Sequence, residues 1–323
     1  MNEQDVFREQ LLDRRGRIDS ALQHGPDPRL VHLLREIDSA LERLEVGSYG
    51  LCEVCHDPIE TERLLANPLT CTCLDHLSDE EHRALEQDLD LVGQVQRQLL
   101  PDRKLKLDGW GFSYHYRPFR LASGDYCDAF ERGGSVFLLL GDVAGKGVAA
   151  SMLVANLHGL FRTLLGDGRD LQVAFRQANR IFCESTIASH YATLVGIRAE
   201  LSGAVTMVNA GHSTPFTVRQ GVVKGVDSTG LPLGVFCDSD YQSHAFSLSP
   251  GESLFLYTDG FSEAHDPSGE EYGPERLAAL LQQSGHLPPA DLISATLHDL
   301  ERFRSGAPLF DDLTLMNLQR SQR

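Results

Sequence analysis

Four short motifs built around aspartate, widely spaced along the chain, restrict its possible folds more than any other feature. They are Ser123-Gly124-Asp125-Tyr126, Leu140-Gly141-Asp142-Val143-Ala144-Gly145-Lys146-Gly147, Tyr257-Thr258-Asp259-Gly260 and Phe310-Asp311-Asp312-Leu313-Thr314. Each lies at a turn or at the end of an apolar run, where a strand can hold a carboxylate rigidly toward a cleft. Neighbouring glycines allow other groups to approach closely. Converging carboxylates without basic partners repel one another, and a hard divalent ion such as Mg²⁺ or Mn²⁺ removes that repulsion.

Each of the four motifs is common by itself, so only the whole set, in this order, indicates a metal site. A single Asp-Gly pair is more often a turn than a metal site. The Gly145-x-Gly147 segment lacks the remaining positions of a dinucleotide-binding or P-loop pattern. The four motifs therefore predict a divalent metal site only if one fold brings them together.

From Trp110 onward, apolar strand-like runs alternate with turn residues. The runs are Val136–Leu140, Ala192–Ile197, Val205–Val208, Leu254–Tyr257 and Leu313–Met316, and helical patterns cover about 147–165, 171–187, 274–284 and 289–304. Strands in hairpin-like order with helices in separate runs predict an α+β fold, layered around sheets.

The N-terminal part has a different pattern, with apolar residues at alternating spacings of four and three over residues 5–46. This spacing predicts two short helices of about two heptads each, with a coiled-coil seam. Glycine and prolines at residues 24–28 break the helix, so an antiparallel hairpin is expected. A third helix with one apolar stripe is predicted over 79–100, and Pro101 ends it.

A cysteine cluster follows the predicted hairpin. Cys52 and Cys55 form a Cys-x-x-Cys pair, and Cys73 and His76 have the same gap seventeen residues later. This spacing is typical of a closed structural zinc site with four ligands. Cys71 lies close enough in sequence to replace Cys73, and unmetallated thiols are the alternative interpretation.

Residues 47–60, Gly-Ser-Tyr-Gly-Leu-Cys-Glu-Val-Cys-His-Asp-Pro-Ile-Glu, and residues 63–68, Arg-Leu-Leu-Ala-Asn-Pro, resemble the DksA/TraR-type zinc finger. The resemblance covers roughly residues 30–76 and includes the hairpin. His76 stands where that family usually has a fourth cysteine. The hairpin is also much shorter than in relatives that reach into RNA polymerase. A sensor or docking module is therefore the expected role.

Charge and composition exclude some classes of function. The chain has 29 basic and 46 acidic residues, a net charge of -17, which disfavours binding to nucleic acid. No apolar run is long enough to predict a membrane span, and the N-terminus does not look like a secretory signal, so a cytoplasmic location is expected. Seven cysteines in such a chain are not expected to form a disulfide framework. Cys127, Cys183 and Cys237 are interpreted as structural or incidental.

The acidic motifs resemble the metal-dependent protein phosphatase 2C (PPM) family, in its bacterial SpoIIE/RsbU-type branch, over about residues 105–318. The motifs are Arg117-Pro118, Gly124-Asp125-Tyr126-x-Asp128, Gly141-Asp142-Val143-x-Gly145-x-Gly147, Asn209-Ala210-Gly211-His212, Gly230-Leu231-Pro232-Leu233-Gly234, Thr258-Asp259-Gly260 and Asp311-Asp312-x-Thr314. The resemblance implies two antiparallel sheets flanked by helices, with metal ions in a cleft at one edge. Ser123 replaces a usual glycine, and Cys127 stands where an aromatic residue is common.

The resemblance also implies the residues of the site and the reaction. Asp125, Asp142, Asp259 and Asp311 are expected to be catalytic, and the same four with Val143 (through its carbonyl) and Asp312 are expected to bind two Mn²⁺ or Mg²⁺ ions. A water activated by the two ions is expected to attack phosphorus, with no covalent protein intermediate. His212 is expected to set local structure rather than to act as a general acid. Arg117 and Arg120 are candidates for binding phosphate.

These observations predict residues 1–77 as the zinc-finger module, 78–104 as a linker helix and 105–323 as the phosphatase domain. The expected substrate is a phosphoserine or phosphothreonine protein, by resemblance a STAS-type anti-sigma-factor antagonist. The linker helix is expected either to form a homodimer or to pack on the catalytic domain and transmit a signal, a plain spacer being the alternative. Two other functions stay open: a non-enzymatic regulator that binds RNA polymerase, and a phosphohydrolase for small phosphoesters.

Overall fold

A computed structural model describes residues 3–23, 27–77, 79–102, 105, 107–186 and 190–322, of which residues 3–6, 62, 66, 79–82, 84 and 85 are described by their backbone only. The chain divides into two compact units, Met1–Gln87 and Asp88–Arg323. This division falls within the predicted linker helix, and the finer boundaries at residues 77 and 104 stay predictions.

The first unit contains the predicted helical hairpin. Helix α1 spans Glu3–Leu22 and α2 spans Pro28–Val46, so both arms are longer than two heptads. Leu11 and Ile37 are fully buried between them, as the seam predicts. Gly47, with a φ of 77°, ends α2 in the left-handed region, which costs glycine little. Residues 24–26 of the predicted turn lie outside the described part of the chain.

A short helix α3, Thr61–Ala66, and a single 3₁₀ turn, Leu74–His76, complete this unit around the cysteines. Helix α4 then runs over Asp79–Leu99, close to its predicted bounds.

The second unit contains two five-stranded antiparallel sheets. Their strands are β1 Trp110–Arg117, β2 Asp125–Arg132, β3 Ser135–Val143, β4 Ala192–Glu200, β5 Ala204–Ala210, β6 Phe216–Arg219, β7 Val222–Gly225, β8 His244–Ser247, β9 Ser253–Tyr257 and β10 Leu313–Arg320. One sheet has the order β1-β10-β9-β6-β7 and the other β2-β3-β4-β5-β8.

Helices cover the outer faces of both sheets. They are α5 Val148–Gly166, α6 Leu171–Ser185, α7 Asp259–Ser262, α8 Pro274–Ser284 and α9 Pro289–Arg304. Helices α5 and α6 share a core with β2 to β5, whereas α8 and α9 share one with β6, β9 and β10. The predicted α+β sandwich flanked by helices, preceded by a helical-hairpin module, is confirmed.

Strand β3 shows how a two-residue period produces these layers. Leu138 and Leu140 belong to the core between the two sheets, together with Leu256 and Met316 of the opposite sheet. Leu139, between them in sequence, instead joins the core under α5 and α6. A strand buried on both faces has no polar face, which is why its sequence is a continuous apolar run.

Helix α5 is long and apolar enough to cross a membrane by length and composition alone. Leu157, Phe161 and Leu165 on this helix are nevertheless fully buried in the core that α5 shares with the second sheet. Packing in this core accounts for the apolar character of the helix.

Cys183 on α6 and Cys237, in the segment before β8, form a disulfide. The sequence analysis interpreted these two cysteines as structural or incidental and did not predict that they pair. They are 54 residues apart in sequence, and their Cα atoms are 5.6 Å apart in the fold. Spacing along the chain gives no sign of this pairing, because it depends on how the segment before β8 returns to α6.

Candidate functional site

The four aspartate motifs meet at one end of the sandwich. Asp125 begins β2 and lies directly opposite Asp142 of β3 in the antiparallel register. In the other sheet, Asp259 follows β9, and Asp311 precedes the neighbouring strand β10. The carboxylates of Asp259 and Asp311 both act electrostatically on that of Asp142. The structure therefore brings together groups that are up to 186 residues apart in sequence.

Gly124 lies close to oxygen atoms of the second aspartate motif. A Cβ atom at this position would lie 3.0 Å from the Val143 carbonyl oxygen, 3.1 Å from Asp142 Oδ1 and 3.4 Å from the Gly145 carbonyl oxygen. Three oxygen atoms thus surround a space that only glycine leaves open. Two of them, Asp142 Oδ1 and the Val143 carbonyl, were predicted from the sequence to bind metal.

Gly260 permits a second close approach. A Cβ atom here would lie 2.0 Å from the Asp312 carbonyl oxygen and 3.2 Å from Asp311 Cβ. The glycine that follows Asp259 therefore allows the third and fourth motifs to pack directly against each other.

Asp125 is buried and held by hydroxyl groups. Its Oδ2 atom accepts hydrogen bonds from Thr314 Oγ1 and, at 3.0 Å, from Thr258 Oγ1. Its backbone N–H donates to Ser123 Oγ, also at 3.0 Å. Ser123, Thr258 and Thr314 all lie within the aspartate motifs, but no role was predicted for them from the sequence. The one available signal was a hydroxyl residue next to Asp259 and another two positions after Asp312.

Asp312 holds the loop that leads into β2. Its Oδ1 atom accepts the N–H of Phe119 at 2.7 Å, and its Oδ2 atom accepts the N–H of Gly124 at 2.8 Å. Both oxygens are thus engaged with backbone groups, although the carboxylate still acts electrostatically on Asp125 and Asp142. A role of Asp312 in binding metal stays a prediction, and its observed role is to position Gly124.

Burial and mutual repulsion make this site costly to ionise. Burial is the main cause that raises the pKa of Asp142 to about 8, and the charges of Asp259, Asp311 and Asp312 add to it. Burial, followed by repulsion from Asp142, raises the pKa of Asp125 well above its usual range. Burial and then Asp311 raise the pKa of Asp259. A divalent cation would relieve this repulsion, and the all-oxygen donor set fits Mg²⁺ or Mn²⁺.

His212 has the structural role expected from the sequence. Its backbone N–H donates to Asn209 Oδ1 at 2.8 Å, and its Nδ1 lies 2.9 Å from Thr193 Oγ1. Burial lowers the pKa of His212 to about 4, so the ring is neutral near pH 7. A neutral, buried imidazole is a poor general acid.

The two candidate phosphate-binding arginines differ in their surroundings. Arg117 pairs with Glu301 at 3.4 Å. Arg120 lies 5.7 Å from the centroid of the Phe119 ring, in the loop that Asp312 anchors. Of the two, Arg120 is the one on the loop next to the acidic cluster.

A second cluster lies in the first unit. Cys52, Cys55, Cys73 and His76 place one ligand atom each within 4.8 Å of one another, and Cys71 is outside this set. Cys55 Sγ lies 3.7 Å from Cys73 Sγ, which in turn lies 3.2 Å from His76 Nδ1. Sulfur ligands about 2.3 Å from a tetrahedral zinc are about 3.8 Å apart. The donor set and its spacing therefore fit zinc.

Hydrogen bonds from the backbone around the cysteines favour the thiolate form of Cys52. Burial alone would raise the pKa of Cys52, but backbone hydrogen bonds from Cys55, Cys73 and Val54 outweigh it and lower the pKa to about 6. Two further hydrogen bonds join the segments around the cysteines. Arg63 Nη1 donates to the Thr72 carbonyl at 2.7 Å, and the Glu53 N–H donates to the Cys71 carbonyl at 2.9 Å.

Two antiparallel sheets between helices, with carboxylates converging at one end, define a domain with the PP2C fold. The solved structure of the SiaA-PP2C domain of Pseudomonas aeruginosa has this fold: the TM-score is 0.66 at 20% identity, over 74% of this chain and 98% of that one. The family model of stage II sporulation protein E (SpoIIE) matches residues 132–321. The chain belongs to the SpoIIE family, and its residues 47–75 match the prokaryotic dksA/traR C4-type zinc finger.

Two curated relatives match more than two thirds of this chain. Protein IcfG of Synechocystis is 28% identical over 264 residues, and the phosphoserine phosphatase RsbP of Bacillus subtilis is 26% identical over 236 residues. These matches cover 72% and 70% of this chain but only 42% and 56% of the relatives. The chain thus spans about half the length of these two proteins.

Proposed function

We propose that this chain is a metal-dependent protein-serine/threonine phosphatase. One observation carries the proposal: Asp142 Oδ1 and the Val143 carbonyl border the open space at Gly124, with Asp125 directly opposite Asp142. Membership of the SpoIIE family and the similarity to RsbP support it.

In this proposal the divalent ions are held by Asp125, Asp142, Asp259 and Asp311 with the Val143 carbonyl, and Asp312 is the sixth predicted ligand. Such ions supply Lewis-acid activation of water and neutralise charge on a phosphoryl group. The chain itself contributes rigid placement. Thr258 and Thr314 orient the Asp125 carboxylate, and Asp312 holds the 119–124 loop.

The proposed substrate is a phosphoserine or phosphothreonine in a STAS-type regulator. The similarity to RsbP, a phosphoserine phosphatase, supports the phosphoserine part of this proposal. The STAS identity rests on the resemblance to the RsbU-type branch alone. Turnover of a phosphorylated STAS domain should exceed that of a phosphoserine peptide in kcat/KM. A preference for a small phosphoester would instead favour a metabolite phosphohydrolase.

The activity test compares wild type with Asp142→Ala in Mn²⁺-dependent hydrolysis of para-nitrophenyl phosphate and a phosphoserine peptide. We expect the variant to lose activity by about a hundredfold or more, because an essential ligand disappears. Asp240→Ala is the matched control, because it removes an exposed carboxylate that pairs with Arg176. This variant should retain activity. No Mn²⁺-dependent activity in wild type would refute the proposal.

We further propose one structural zinc ion held by Cys52, Cys55, Cys73 and His76. The geometry of the cluster and the match to the zinc-finger family support it. When bound, zinc would cross-link the segments that follow α2.

Self-association through α4 is also proposed. Leu91 and Val95 lie four residues apart on this helix and are 58% and 53% exposed. Such a pair forms a stripe that a second copy of the helix can cover. The mass of the full chain in solution should be that of a dimer, and Leu91→Glu should shift it to a monomer. A wild-type monomer at high concentration would contradict this.

Binding of RNA polymerase by the first unit is the second candidate function. The hairpin α1–α2 followed by the zinc cluster favours it. Retention of purified polymerase by the full chain, lost on Cys73→Ala, would support it.

A further inference from the structure

Lys146 is the basic residue most closely associated with the acidic site. It follows Gly145 in the loop between β3 and α5, four residues after Asp142. Its ammonium group donates to Asp311 Oδ2 at 2.9 Å and to the Phe310 carbonyl at 3.0 Å, and it lies 5.6 Å from the centroid of the Phe119 ring. Three separate contacts thus hold the side chain at the rim of the site.

These contacts engage the second oxygen of Asp311. Its Oδ1 atom accepts the N–H of Asp312 at 2.9 Å, and its Oδ2 atom accepts the lysine ammonium group. Among the ion pairs of the described residues, this is the one that involves a predicted ligand of Mn²⁺ or Mg²⁺. A divalent ion that binds Asp311 through Oδ2 therefore has to share that atom with Lys146 or displace the lysine.

We propose that Lys146 is an internal counter-ion that competes with a divalent ion for Asp311. This inference rests on the proposed metal-dependent function. The ammonium group repels a cation at close range and occupies one of its ligand atoms, so it weakens binding of the ion that Asp311 holds. Occupancy of that position then depends on the concentration of the free ion. The charge of Lys146 also acts on the carboxylates of Asp142 and Asp259, but its direct hydrogen bond to a predicted ligand is the one to Asp311.

The Lys146 side chain is 50% exposed in its ion pair with Asp311. Its replacement should therefore not prevent folding. Lys146→Met removes the charge and keeps most of the apolar chain. Lys146→Arg keeps the charge. Lys224→Met, an exposed lysine on β7, is the matched control for loss of one positive charge. Melting temperatures of all variants establish that they are folded.

The experiment measures Mn²⁺ binding to the zinc-loaded full chain, with free Mn²⁺ quantified by electron paramagnetic resonance. We expect Lys146→Met to lower the Kd of the Mn²⁺ ion that Asp311 holds by about tenfold, because the variant removes a nearby positive charge and frees Asp311 Oδ2. Lys146→Arg and Lys224→Met should bind as wild type does. An unchanged or higher Kd in Lys146→Met overturns the inference.

A double variant tests whether the effect acts through Asp311. In the background of Asp311→Asn, Lys146→Met should raise Mn²⁺ affinity by clearly less than it does in wild type, because the competition for Oδ2 is gone and only charge repulsion is left. An equal gain in that background would show a general charge effect and overturn the proposed competition. If wild type binds no Mn²⁺ at all, the proposed function fails too. If wild type binds Mn²⁺ and Lys146→Met is unchanged, only this inference fails.

Discussion

At the scale of single residues, hydroxyl groups control the geometry of Asp125, the most buried of the predicted aspartate ligands. Asp125 is 3% exposed, and Thr258 and Thr314 both donate to its Oδ2 atom. In a buried site, such donors hold a carboxylate in one orientation and offset part of its desolvation.

Thr314→Val should therefore weaken the site without changing its shape. We expect a drop of about 1–3 kcal/mol in the free energy of unfolding, because a buried acceptor loses a donor, and about a tenfold loss of Mn²⁺-dependent activity. Chemical denaturation and phosphatase assays provide the two readouts. Thr163→Val is the control, because Thr163 is at an exposed position of α5 and its hydroxyl donates to the Gly159 carbonyl of the same helix. Equal behaviour of the two variants would contradict the assigned role of Thr314.

Asp299 on α9 is the centre of a separate charged network. Its Oδ2 atom accepts from Tyr272 Oη at 2.8 Å and Arg276 Nε at 3.0 Å, and its Oδ1 atom accepts from Arg302. Burial alone would raise the pKa of Asp299, but these hydrogen bonds outweigh it and lower the pKa to about 2.

The sign of the resulting pH dependence follows from linkage. A carboxyl group whose pKa is lowered by folding stabilises the native state above its ordinary pKa, and this contribution disappears as pH falls from about 4 to about 2. Asp299→Asn should cost about 1–2 kcal/mol at pH 7, and the difference from wild type should shrink near pH 2. Denaturation at several pH values measures it. The exposed Asp240→Asn should show no such convergence.

At the scale of elements, the end of α4 is tied to the strand that carries Asp125. The Gln96 side chain donates to the Ser123 carbonyl at 2.8 Å and accepts the Ser123 N–H at 3.0 Å. One turn earlier, a Cβ atom on Gly93 would lie 2.4 Å from the Leu121 carbonyl oxygen. One glycine and one side-chain amide thus let the helix lie directly on the loop before β2.

Gln96→Ala should loosen this contact and, through Ser123, the position of Asp125. Two buried backbone groups of Ser123 lose their partners, so we expect a loss of about 1–3 kcal/mol in the free energy of unfolding. Mn²⁺ affinity should fall with it. Gln98→Ala, on an exposed position of the same helix, is the control. Unchanged Mn²⁺ affinity in Gln96→Ala would show that the contact serves stability alone.

At the scale of the whole molecule, the chain has two compact units with different sources of stability. Among the described residues, the second unit has three apolar cores, whereas the first has one small core that includes Cys52 and Cys73. A core of this size is marginal alone, and a structural metal commonly supplies the missing free energy.

Loss of zinc should therefore affect the first unit selectively. Cys73→Ala should abolish zinc retention and lower the melting temperature of the first unit. The transition of the second unit should stay within about 2 °C, a shift that corresponds to less than about 1 kcal/mol. Elemental analysis and differential scanning calorimetry measure both effects. Cys71→Ala should retain zinc, because Cys71 lies outside the ligand cluster. Equal zinc loss in both variants would show that Cys71 takes part in binding.

The sequence by itself determined the features that depend on neighbouring residues. Helices α8 and α9 begin and end where their apolar periodicity does, and strands β3, β4, β5, β9 and β10 contain the predicted apolar runs. The grouping of the four residues Cys52, Cys55, Cys73 and His76 was also predicted from their spacing, because a ligand pair in one tight turn is a local property.

Only the tertiary structure decided which distant groups meet. The engagement of Asp312 with Phe119 and Gly124, the pairing of Lys146 with Asp311 and the disulfide of Cys183 with Cys237 each join segments at least 54 residues apart. Such contacts depend on strand register and on the stacking of the two sheets. A shift of register by one residue would turn every side chain of a strand to the opposite face. The order of the motifs predicted that the carboxylates converge, but the oxygen atoms that remain available to a metal ion are a property of the packed sandwich.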